Sequence, residues 1–240
     1  MKGWSKAVGA GLGYVVGGPI GAVLGYMAGH KLAPKIQAAE GHLLIANILG
    51  FTTILLKVKT PPSSEECKET VGFISRLFQF DTEDEQTAAQ LLDRLLAVDL
   101  DIAAMAKSFK RHSDAVMRER LLEILATLCL LIHGTLKGRQ LASLTRIAEA
   151  LSLSQLQWQA IKSRYQAASP ALDTACCYAL LELYPNSSEN QVRTAYRTLV
   201  KKYHPDLVPQ LDHAAQQRHV EKMTLINAAY ETIRVERGIK

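Results

Sequence analysis

The stretch Lys201-Lys202-Tyr203-His204-Pro205-Asp206 sets where one helix must stop and another must begin. A proline keeps the residue before it out of the helical region, so the run that leads up to His204 ends there. Within that run Val192, Tyr196, Leu199 and Tyr203 recur at spacings of four, three and four and share one helix face. Arg193, Arg197 and Lys201 step by four along a separate face, with Lys202 beside them, so a positive ridge lies next to the apolar stripe. Ser188 and Gln191 have capping-box spacing, and Asn186 and Ser187 before them suit a turn. Beyond the loop Met223, Ile226, Tyr230 and Ile233 again step by three and four. The pattern predicts two antiparallel amphipathic helices joined by a His-Pro-Asp loop, with one face to bury and another to meet a partner.

A short leading helix over Tyr178 to Leu183 completes the frame. The segments Cys177-Tyr-Ala-Leu-Leu-Glu-Leu183, Gln191-Val-Arg-Thr-Ala-Tyr196, Leu199-Val-Lys-Lys-Tyr-His-Pro-Asp206 and Ile226-Asn-Ala-Ala-Tyr-Glu231 resemble the J domain of DnaJ-type co-chaperones. The resemblance implies a DnaK-type chaperone as partner, and Arg193, Arg197, Lys201, Lys202, His204, Pro205 and Asp206 as the residues that bind it. A basic ridge steers a module onto an acidic surface. A carboxylate held at a loop tip engages an arginine across the interface. In the family this contact favours the partner's hydrolysis-competent state, which requires tighter binding to one state than to the other.

At the other end Lys2 and Lys6 precede an uncharged run from Ala7 to Gly29, closed by His30 and Lys31. The run is long enough for a membrane helix, which needs about 20 residues. Gly17, Gly21, Gly25 and Gly29 recur every four residues and make a smooth stripe, which allows close helix approach in lipid. A membrane anchor that self-associates, giving a homodimer, is the expectation. A signal peptide fits poorly, because the run lacks a short Leu-rich core; a Gly-rich soluble tail is the other alternative. Lys2 and Lys6 balance Lys31 and Lys35, so charge does not choose the orientation.

Between these ends the pattern is helical. Leu43 to Leu56 is apolar but interrupted by Asn47, Gly50, Thr52 and Thr53, and is short for a second crossing, so a buried core helix is expected. Pro61 and Pro62 break the chain; Ser63 with Glu66, Thr82 with Glu85 and Ser154 with Gln157 offer helix starts. Apolar stripes through Ile102–Phe109, Leu121–Ile132, Leu141–Leu151 and Leu156–Ile161 argue for an antiparallel helical assembly. This region resembles the TerB-like helical domain. Its two characteristic acidic turns would fall at Val58-Lys59-Thr60-Pro61 and Ile132-His133-Gly134, and both lack the acidic residue, which argues against a metal site. His133 reads as a helix-end residue.

The order of parts is similar to that of DjlA-type membrane-anchored co-chaperones of Gram-negative bacteria. The expected fold is all-α: a Gly-rich transmembrane helix over 1–36, a TerB-like domain over 37–168, a linker over 169–174 and a J-domain hairpin over 175–240. That resemblance implies a single-pass protein of the bacterial inner membrane with most of the chain cytoplasmic. Cys67, Cys129, Cys176 and Cys177 form no CxxC pair and read as free thiols of a reducing compartment. A net charge of +5 without basic-aromatic interleaving gives no reason to expect nucleic acid. No P-loop, dinucleotide fingerprint, HExxH or nucleophile elbow is present, so neither catalysis nor a cofactor is expected. His213 and His219 read as surface residues. A membrane scaffold with a vestigial J domain is the alternative function.

Overall fold

Helix α1 (Ala38–Leu56) is the element the amino-terminal body is built on. Ile45, Ala46, Ile48, Leu49, Phe51 and Leu55 point in all directions around it, and each is at most 1% exposed. A helix that is apolar all round must be enclosed, and α1 is packed by α3 (Thr82–Leu96), α4 (Ile102–Lys110), α5 (Ala115–His133) and α6 (Gly138–Ala150). The buried core helix expected from Leu43 to Leu56 is therefore observed. Its polar interruptions are buried as well; Thr53 donates its hydroxyl to the Leu49 carbonyl at 2.8 Å. Gly50 lets α4 come close: a Cβ there would stand 2.5 Å from the Met105 terminal methyl.

The computed structural model describes residues 38–58, 61–167, 169–204 and 213–239. They are all-helical, with ten helices and no strand among the described residues. The expected anchor over 1–36, with Gly17, Gly21, Gly25 and Gly29, lies outside them. Among the described residues no helix is long and apolar enough to cross a membrane.

Helix starts follow local side-chain chemistry. Ser63 opens α2 (Ser64–Leu77) in a full capping box with Glu66, and Ser154 opens α7 (Gln155–Gln166) in the same way with Gln157. The start of α3 differs from expectation. Asp81, not Thr82, is the cap, accepting from the Asp84 N–H at 2.9 Å. A carboxylate in that position also meets the positive end of the helix dipole, which a hydroxyl one residue later cannot match. At the far end of α5, Gly134 takes φ +71 and closes the helix by donating its N–H to the Leu130 carbonyl at 2.7 Å.

The carboxy-terminal unit consists of α8 (Thr174–Leu180), α9 (Glu189–Tyr203) and α10 (His213–Arg237). The leading helix begins earlier than Tyr178, because Asp173 caps the N–H groups of Ala175 and Cys176, and ends earlier than Leu183, because Glu182 takes φ 60. Thr174, expected in the linker, is thus the first residue of α8. The remaining connection from α7 is not a loose tether: Pro170 and Leu172 are buried, and the Gln166 side chain donates to the Leu136 carbonyl at 2.8 Å. Helix α8 packs on α10 and also on α2 and α5, so the unit is docked on the body.

Candidate functional site

Helix α9 starts at Ser188, whose hydroxyl and Gln191 partner form the expected capping box. Its apolar stripe is as predicted: Val192 is fully buried, Leu199 and Tyr203 nearly so, and Tyr196 stacks on Tyr230 of α10 with ring centres 4.0 Å apart. The Tyr196 hydroxyl donates to Asn227 at 3.1 Å. Tyr196 meets Asn227 and Tyr230, while Tyr203 meets His219 and Lys222, so α9 and α10 run antiparallel. Opposite ends are tied by Arg237, which donates to the Ser187 carbonyl at 2.5 Å and the Pro185 carbonyl at 2.7 Å, with its guanidinium 4.9 Å from the Tyr178 ring centre.

The four basic residues expected as a ridge all lie on α9 and differ in their local partners. Arg193 pairs with Glu189 one turn earlier, at 2.5 Å, and Arg197 Nε donates to the Arg193 carbonyl at 3.3 Å. Arg197 and Lys201 are exposed. Lys202 is exposed as well, with its ammonium 5.0 Å from the Tyr203 ring centre. Its ammonium is held above the ordinary lysine value, chiefly by the Tyr203 hydroxyl against an opposing effect of burial, with the charges of Glu182 and Glu69 adding to it. His204 is half-buried and takes φ −63, ψ 126, the extended conformation that the following proline imposes. Pro205 and Asp206 lie outside the described residues.

One cluster was not foreseen in the sequence. Tyr203 places its hydroxyl 3.5 Å from a Glu69 carboxylate oxygen on α2, and Lys222 of α10 forms an ion pair with the same oxygen. His219, expected at the surface, is half-buried: it packs edge-on against Tyr203 at 5.4 Å, and its Nδ1 is buried without a hydrogen-bond partner. Glu69, Tyr203 and Lys222 border a groove of about 360 Å³ between α2, α8, α9 and α10. Nothing in the spacing of α9 signals an acid 134 residues away; the only hint was that Lys222 adjoins the buried stripe starting at Met223.

Elsewhere His133 is buried at the end of α5 with Nε2 3.0 Å from the Leu55 carbonyl, so that nitrogen carries the proton and ties α5 to α1. All four cysteines are free; Cys129, Cys176 and Cys177 are buried. Burial raises the Cys176 thiol strongly and pushes Cys177 up to about 12. These thiols are structural side chains, not nucleophiles. No group of three or more His, Cys, Asp or Glu side chains suited to a metal occurs among the described residues.

Comparison with known proteins gives matches at both ends. Residues 176–237 match the family described as the DnaJ domain, and residues 1–32 match the co-chaperone DjlA transmembrane domain. A relative from Vibrio cholerae named Co-chaperone protein DjlA is 37% identical over 95 residues, 37% of this chain and 30% of the relative. One of the same name from Vibrio parahaemolyticus is 33% identical over 92 residues, 36% of this chain and 31% of the relative. The chain therefore spans about a third of the length of the curated relatives it matches. No solved structure matches. Two family matches, one at each end of the chain, and two relatives of one name make this chain similar to co-chaperones of the DjlA type, with a DnaJ domain over residues 176–237.

Proposed function

We propose that the chain recruits a DnaK-type chaperone to a membrane and stimulates its ATP hydrolysis through the His204-Pro205-Asp206 loop and the basic helix before it. The observation that carries this reading is α9 itself. Its apolar face is spent on α10, its end is held extended at His204, and Arg197 and Lys201 remain exposed toward a partner. Such a surface steers and orients rather than catalyses, so the chemistry is done on the partner. Lys202, exposed like them, and the half-buried Arg193 complete the proposed contact with His204, Pro205 and Asp206.

The rest of the assignment is proposed on the same footing. Residues 1–36 anchor the chain in the bacterial inner membrane by a single helix, with Gly17, Gly21, Gly25 and Gly29 on the face where two copies meet. Residues 37–168 form a TerB-like body, and 175–240 form the J domain on the cytoplasmic side. The test is the ATPase rate of a DnaK-type chaperone with the full chain added. The wild type accelerates hydrolysis, and His204→Gln abolishes the effect while leaving the helical circular dichroism unchanged. Equal stimulation by both would sink the proposal and favour the scaffold alternative.

A further inference from the structure

We propose that the helical body restrains the J domain by holding the end of α9 on Glu69, so that the docked form is the weaker-binding form of the partner surface. The inference rests on reading the face from Arg193 to His204 as that surface.

Tyr203, the residue before His204, is 8% exposed, because its ring lies between α2 and α10 and its hydroxyl points at Glu69. The same Glu69 oxygen takes Lys222, and both side chains of that pair are under a fifth exposed, at 17% and 18%. Lys202, though exposed, borders the groove that Glu69 and Glu182 also line, so an acid of the body lies near it. A partner carboxylate that engages Lys202 competes with acids already present. A second contact fixes the rotation of α10. Gly134 has φ +71, and its missing Cβ leaves the space taken by Glu221: a Cβ there would stand 2.8 Å from the Glu221 Cβ. Adjacent residues of α10 are therefore seated on two different helices of the body, α2 and the end of α5. Leu225, one turn on, is 4% exposed.

Docking and partner binding then oppose each other, and the coupling is reciprocal. If about a tenth of the molecules are undocked, apparent affinity is about tenfold weaker than that of the free J domain. The test uses the full chain with Glu69→Lys, which sets a cation against Lys222 and Lys202, and the exchanged pair Glu69→Lys/Lys222→Glu, which restores attraction. Glu69→Gln, uncharged and of the same shape, gives the same direction at smaller amplitude and guards against misfolding of the reversal.

Two readouts are taken: amide hydrogen exchange at residues 199–204, and the concentration that half-saturates stimulation of a DnaK-type ATPase. Glu69→Lys is expected to speed exchange and to half-saturate at about one tenth of the wild-type concentration, and the exchanged pair to return both to wild type. Faster exchange with half-saturation unchanged, in a wild type that stimulates, overturns the restraint and leaves the proposed function standing. Unchanged exchange overturns the contact itself. Faster exchange with no stimulation by any version, wild type included, removes the proposed function and the restraint with it.

Discussion

Replacing Arg237 separates the stability of the J domain from its proposed partner surface. The side chain makes two charged hydrogen bonds to carbonyls of the α8–α9 turn, on Ser187 and Pro185, and lies over Tyr178 of α8. One residue thus holds a turn and a helix that are some fifty positions away from it. Hydrogen bonds from a charged donor are worth about 1.5–3 kcal/mol each when desolvated. Arg237 is exposed, so less than half of that is expected per bond; the cation–π contact adds about 0.5–1 kcal/mol at an exposed site. The loss in Arg237→Ala is therefore about 2 kcal/mol, or roughly 4–8 °C in melting temperature for a chain of this size. Arg237→Lys keeps the charge and the ring contact but cannot fork to two carbonyls, and should recover about half of the loss. Thermal melting followed by circular dichroism gives the total, and amide exchange at residues 184–188 gives the location. At a temperature well below the melt, partner stimulation should change little, because Arg237 sits at the far end of α10 from His204. A melting temperature within about 1 °C of wild type for Arg237→Ala would refute the reasoning, since it would mean that water replaces all three contacts without loss.

Two further outcomes test the core. Phe51→Ala empties a fully buried position in α1 and should destabilise the body by about 3–5 kcal/mol, read by urea denaturation; a loss below about 1 kcal/mol would contradict the enclosure of α1. Cys177 supplies a pH test. Its thiol keeps its proton up to about 12 in the fold, against an ordinary value of 9.0. Below pH 9 both folded and unfolded chains hold the proton, and the stabilisation is complete. Between 9 and 12 only the unfolded chain releases it, so stability falls by about 1.4 kcal/mol per pH unit. Cys177→Ala should show a flatter decline than wild type in urea midpoints between pH 8.5 and 10.5, and parallel declines would count against a buried neutral thiol.

What could be read from sequence was what depends on neighbours along the chain. The stripe from Val192 to Tyr203, the Ser63, Ser154 and Ser188 capping boxes and the stop at His204 each follow from residues within a turn or two of one another. Thr82 misled because a hydroxyl with a glutamate three residues on has the right spacing, and only the competing Asp81 carboxylate decides between the two starts. The early start of α8 has the same cause in Asp173. The contacts that dock the J domain left no such trace. Glu69 and Lys222 are 153 residues apart, and neither belongs to a periodic pattern that points at the other. His219 reads as a surface residue because no ligand spacing surrounds it, whereas its place is set by the Tyr203 ring. Gly134 read as the place of a turn, but the close approach of Glu221 to it is a property of the packed helices.

Helix α1 has a consequence for the order in which the protein comes into being. Its carboxy end meets His133, a partner 78 residues further along. At about 5–20 residues per second of synthesis, Leu55 waits roughly 4–15 seconds before His133 in α5 has been made, and α6 follows later still. During that interval an apolar helix stands close behind a segment matched to a transmembrane domain, where lipid is the nearest competing refuge. Asn47, Thr52 and Thr53, each wholly buried in the finished body, are poor company for hydrocarbon.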